Sequence, residues 1–105
     1  MSTYDLIRDA IVNKRLITAT YDGYFREMCP HALGTKNGRE RALFFQFAGE
    51  SSKGPIQDPS SPKNWRCLFI DELSNVQVRD GAWHTGPNHT QAQTCVDNID
   101  VEVTF

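Results

Sequence analysis

Three dipeptides, Asp22-Gly23, Asn37-Gly38 and Asp80-Gly81, punctuate this chain, and short segments rich in β-branched and aromatic residues lie between them. An Asx-Gly pair favours a two-residue hairpin turn, because both turn positions need a positive φ that Asn, Asp and Gly tolerate. The chain is therefore constrained to fold largely as antiparallel strands. Residues 16–21 predict the first strand and residues 24–29 the second, which Pro30 ends or places on an edge, since proline brings no N–H to a ladder. Residues 42–47, ALFFQF, form the most apolar stretch, with Leu43, Phe45 and Phe47 predicted toward the core. Ser74-Asn75 turns into residues 76–79, and the chain closes on Ile99, Val101, Val103 and Phe105 alternating with polar residues, the pattern of a half-buried strand.

Ahead of the strands, Ser2, Thr3 and Asp5 offer capping oxygens, and Tyr4, Ile7, Ala10 and Ile11 recur at helical spacing. One amphipathic helix ending near Asn13 is predicted. Residues 49–64, GESSKGPIQDPSSPKN, hold three prolines, two glycines, four serines and a single aliphatic residue, Ile56. This composition predicts a surface loop that folding can dispense with. A second polar segment, HTGPNHTQAQTC, follows Trp83. One helix and five or six short strands imply a mainly β fold, a small β-barrel with an N-terminal helix as its lid.

The 105 residues make one domain, and with 39% apolar residues the core needs no disulfide or metal staple. A formal charge of -2 excludes a protein held to nucleic acid by bulk charge. Cys29, Cys67 and Cys95 are odd in number and widely spaced, and two lie in apolar strand patterns, so all three are expected as reduced thiols in a cytoplasmic protein. No signal sequence or membrane-length apolar run occurs, and no membrane partner is expected.

The chemistry centres on residues 64–73, NWRCLFIDEL. Strand alternation puts Trp65, Cys67 and Phe69 on one face and Arg66, Leu68 and Ile70 on the other, so a guanidinium shares its side with aliphatic residues. That cation needs a partner, either a carboxylate such as Asp71 or Glu72 or an anionic ligand, and the residues leave both open. Lys14-Arg15, Arg39 and Arg41, with Tyr21, Tyr24 and Phe25, are the residue types of a small single-stranded nucleic-acid face. Cys29, His31, His84, His89 and Cys95 have no zinc-knuckle spacing, so neither metal nor cofactor is expected. No third residue is spaced to orient a Cys-His pair, and enzyme activity is not expected either.

The order IRDAIVNKRLITATYDGYFREMCPHALG, NGRERALFFQF, NWRCLFIDEL resembles the WYL domain family, over residues 4–84. The shared pattern is a helix with Ala-Ile, a basic turn, a Tyr-ended strand, an Arg before a Pro, and a late Arg-containing strand. The resemblance implies a single WYL-like domain over residues 1–105, with an Sm-like or SH3-like barrel that binds a ligand, often a nucleotide or nucleic acid. Arg26 and Pro30 match the family's arginine-to-proline spacing, Leu33-Gly34 the residues after it, and Arg66 and Asp71 the late strand. Arg41-Ala42-Leu43 stands where the family has Trp-Tyr-Leu, and Phe69 and Glu72 replace two arginines, removing two positive charges from the implied pocket.

The candidate ligand-binding residues are thus Arg26, Arg66, Tyr21, Trp65 and Asp71, in a sensory or regulatory module for an anionic small molecule or nucleotide. WYL domains are usually attached to a helix-turn-helix, which is not expected in this chain, so a helix-turn-helix protein or a second copy is the implied partner. The alternative is a structural or protein-interaction subunit. There Glu27, Asp71 or Glu72 satisfies Arg26 and Arg66 internally, and edge strands make the contacts.

Overall fold

In the computed structural model, which describes residues 2–51, 54–56, 64–81, 83 and 95–103, one helix packs on an antiparallel sheet. Helix α1 (Thr3–Asn13) starts where Ser2 Oγ accepts the Asp5 N–H at 3.1 Å. It stops where Lys14 turns left-handed (φ 52°), which lets the Arg15 N–H reach back to the Ala10 carbonyl at 2.8 Å. Its buried stripe is Ile7, Ala10 and Ile11.

Seven strands follow: β1 (Leu16–Tyr21), β2 (Tyr24–Lys36), β3 (Arg39–Ser51), β4 (Gly54–Pro55), β5 (Trp65–Phe69), β6 (Ser74–Arg79) and β7 (Asn98–Glu102). A 3-10 turn, Ile70–Glu72, joins β5 to β6. Asp22-Gly23 (φ 54° and 80°) and Asn37-Gly38 (φ 52° and 80°) make the expected tight turns of the β1–β2 and β2–β3 hairpins. Strands run in the order β6-β1-β2-β3-β4, with β7 on β2 and β5 on β3, and among the described residues the sheet is not closed.

Pro30 does not end β2, which runs on for 13 residues to Lys36. The outer edge of β2 pairs with β1 as far as Met28 and with β7 from Ala32, so Pro30 lies in the gap between two partners, beside a register shift toward β3. A missing N–H costs little there.

The loop expected over residues 49–64 is also narrower than predicted. β3 continues through Ser51, Gly54–Pro55 pairs with it, and the Ile56 N–H donates to the Gly49 carbonyl at 3.0 Å. Ser51 and Asn64 are buried, so dispensability does not extend to the ends of this segment. Of the second polar segment, residues 84–94 lie outside those described, and its last residue, Cys95, is described and buried.

Both faces of the long hairpin are covered. Toward α1, the inner face buries Ile17, Ala19, Met28, Leu33, Ala42, Phe44, Leu68 and Ile70. The face expected of β3 is therefore inverted: Ala42 and Phe44 point to the helix side. Phe45 is fully buried on the outer side, in ring contact with His31 and Trp65 (centroids 6.5 and 5.0 Å). Four successive apolar residues, Ala42 to Phe45, carry no parity signal, and the one polar residue, Gln46, is itself buried. Trp83 completes this outer cluster, 5.0 Å from the His31 ring.

Across the same face Cys67 is bonded to Cys95, with Cα atoms 5.7 Å apart and a separation of 28 in sequence. Two of the three cysteines are therefore not the reduced thiols expected, and the cytoplasmic expectation loses the ground on which it stood; Cys29 keeps a buried thiol. A cross-link of this span stabilises by about 3 to 4 kcal/mol in the chain-entropy picture.

Candidate functional site

Arg26 sits near the open end of the β2–β3 hairpin, opposite Ala19 on β1 and Gly49 on β3, and only 4% of it is exposed. A buried guanidinium has to be met by acceptors. Nε and Nη2 both donate to the Tyr21 carbonyl at 3.4 Å, and Nη1 donates to Gln46 Oε1 at 3.2 Å. The rings of Tyr21 and Tyr24 lie 5.4 and 5.8 Å from the guanidinium carbon, within cation–π range.

Gln46 is what aims this cation. Fully buried, it donates through Nε2 to the Ala48 and Glu50 carbonyls (3.1 and 3.0 Å), which fixes its amide so that Oε1 is presented to Arg26. Gly49 makes the approach possible. It holds φ +89°, and a Cβ there would strike the Phe25 carbonyl oxygen and come within 2.9 Å of the Arg26 Cα.

No carboxylate among the described residues pairs with Arg26. Burial pushes its pKa below the ordinary arginine value, opposed by the Asp22 carboxylate and by Tyr21 and Tyr24. A guanidinium has five N–H groups, and the bonds above use one on each nitrogen. The second N–H on each terminal nitrogen has no acceptor among the described residues.

Arg66, on β5 opposite Phe44, is half-buried and donates from Nη1 to the Trp65 carbonyl at 3.2 Å. Burial first, and then the positive charge of Arg26, push its pKa down, so the two guanidinia share one electrostatic neighbourhood. Tyr21 ties the strands together there: its hydroxyl lies 3.5 Å from the Phe69 N–H, and burial raises its pKa.

Of the five candidate residues, Arg26 and Tyr21 are in direct contact, and Arg66 is near enough to be influenced by the Arg26 charge. The Trp65 side chain points to the other face, where its ring meets His31 at 4.8 Å, while its carbonyl accepts from Arg66. Asp71 is at the far end of β5, paired with Arg39 Nη2 at 2.9 Å, and Glu72 joins the same cation at 3.4 Å. Glu27 does not pair with Arg26.

The nucleic-acid face read from the sequence is dispersed. Tyr21 is buried, Phe25 is exposed, and Arg15 pairs with Asp80 at 3.4 Å. Arg39 and Arg41 stack on Phe69, 3.7 and 4.7 Å from the ring centre. Of the metal candidates, Cys95 is taken by the disulfide and His84 and His89 lie outside the described residues.

Sequence reasoning missed Gln46 and Gly49. The signal for Gln46 was a lone amide inside ALFFQF, a polar group that burial obliges to hydrogen-bond. Compared with known protein families, curated proteins and solved structures, the chain finds no match.

Proposed function

We propose that this protein is a ligand-binding sensory or regulatory module that holds an anionic group, a phosphate or the phosphates of a nucleotide, against Arg26 and Arg66. One observation carries the reading: the guanidinium of Arg26 is nearly buried, with no carboxylate partner and two unspent N–H groups among the described residues, and its charge reaches the half-buried Arg66. Desolvating one cation beside another is costly, and an arriving anion reverses that cost with charge-assisted hydrogen bonds. Arg66 is the entrance and Arg26 the floor. Tyr24, partly exposed above Arg26, offers a ring for a base to stack on, so a nucleotide is favoured and a single-stranded nucleic acid is the extended form of the same ligand.

The order of elements supports the finer fold reading as well. A helix, a short strand, two long strands shared between sheet halves, and a 3-10 turn leading to a strand that returns to β1 suit an Sm-like or SH3-like barrel and the WYL resemblance. In that reading a helix-turn-helix protein or a second copy receives the signal. The cytoplasmic placement expected of such a module requires a disulfide that persists against the reducing pool.

The second reading, a structural subunit, is favoured by the burial of Arg26 and its internal bonds. Urea melts and thermal shifts with inorganic phosphate, a nucleoside triphosphate and a short oligonucleotide separate the two. An anion at 100 times its Kd stabilises the wild type by about 2.7 kcal/mol. Arg66→Ala is expected to abolish that gain and leave the ligand-free stability nearly unchanged. A wild type that no anion stabilises, with a variant destabilised by about 3 to 5 kcal/mol, establishes the structural reading instead.

A further inference from the structure

We infer that the Cys67–Cys95 disulfide is a redox latch on the anion site; the inference rests on the proposed anion binding and names its regulation. Cys67 follows Arg66 on β5, a strand of five residues whose ladder, among the described residues, is to β3 alone. This strand supplies the site at both ends, through the Trp65 carbonyl that accepts from Arg66 and the Phe69 N–H that meets Tyr21.

The other end of the cross-link is firmly held. The Asp97 N–H donates to the Thr35 carbonyl at 3.0 Å, Val96 is buried against Gly34, and β7 pairs with residues 32–35 of β2. The bond therefore joins the edge strand that carries Arg66 to an anchor on β2, across an outer face that backbone hydrogen bonding leaves open. Without it, β5 keeps, among the described residues, one ladder and its packing, and short strands paired on one side are the first to open locally. Arg66 then loses its fixed place beside Arg26.

The switching chemistry is thiol–disulfide exchange with a dithiol reductant. Its thiolate attacks the sulfur of Cys67, the less buried residue of the two, and the S–S bond breaks with Cys95 leaving as a thiolate that takes a proton. The second thiol of the reductant resolves the mixed disulfide and frees Cys67. Two electrons and two protons pass to the protein, and the dithiol becomes a disulfide.

The test measures binding of inorganic phosphate and a nucleoside triphosphate by calorimetry, with hydrogen exchange of the β5 amides, in the presence and absence of dithiothreitol. A Cys67→Ser, Cys95→Ser double variant serves as the permanently open form. Reduction is expected to weaken binding about tenfold through lost preorganisation. It should speed exchange in β5 and residues 95–97 while α1 and β1 stay protected, and the double variant should match the reduced protein in both buffers. Equal affinity in the two redox states overturns the latch alone, as does loss of the whole cooperative fold on reduction, which makes the bond merely structural. Oxidised protein that binds no anion, with β5 still loosening on reduction, overturns the proposed function and the latch's role in it.

Discussion

Arg26 and Arg39 occupy opposite ends of the β2–β3 hairpin, and the fold treats the same guanidinium in opposite ways. Arg39, at the turn end, is half-exposed, pairs with Asp71 and Glu72, and stacks on Phe69. Arg26, at the open end, is buried among neutral dipoles and tyrosine rings, with no carboxylate in ion-pair contact among the described residues. The acids that sequence proximity assigns to Arg66 therefore go to the cation that water already satisfies. Among the described residues, charge neutralisation is placed at Arg39, where it contributes little, and not at Arg26, where an anion gains most from supplying it.

The contrast is broken most severely at Gln46. Gln46→Leu leaves the Ala48 and Glu50 carbonyls and one Arg26 nitrogen without their partner, and is expected to destabilise by about 2 to 3 kcal/mol in a urea melt. A change below about 0.5 kcal/mol would mean that water or another group meets Arg26 as well as the amide does.

At the other end, Arg39→Ala is expected to cost no more than about 1 kcal/mol, because exposed ion pairs are screened and entropically expensive. Adding salt should shrink even that difference. A loss comparable with that of Gln46→Leu would erase the distinction between the two ends.

The smallest effect at neutral pH belongs to a third polar contact, between α1 and β7. Tyr4 donates its hydroxyl to Asp100 at 2.6 Å, and burial, then that hydrogen bond and the Asp100 charge, raise its pKa from 10.0 to about 12. A folded-state pKa above the unfolded one means that the contribution is complete below pH 10 and disappears as pH rises through about 12. Tyr21 shifts in the same direction, so the measurement is the difference between wild type and Tyr4→Phe. The two stability curves should converge between pH 10 and about 12, and parallel curves would show that Asp100 does not hold the phenol.

What the sequence determined by itself is what its local interactions decide. The Ser2 cap, the helix end at Lys14, the two Asx-Gly hairpins and the alternation of β5, with Leu68 inward, each depend on residues a few positions apart, whose conformational preferences act before any distant contact forms. Everything that hangs on long-range register was decided by the tertiary structure. Pro30 lies within a strand because β1 stops and β7 starts on either side of it. ALFFQF turns Phe44 rather than Phe45 to the helix because a second cluster covers the other face. Cys67 meets Cys95, and Asp71 and Glu72 meet Arg39, because strands distant in sequence are brought edge to edge. Pairing energies of this kind depend on which strands become neighbours, and a one-residue slip would exchange every partner.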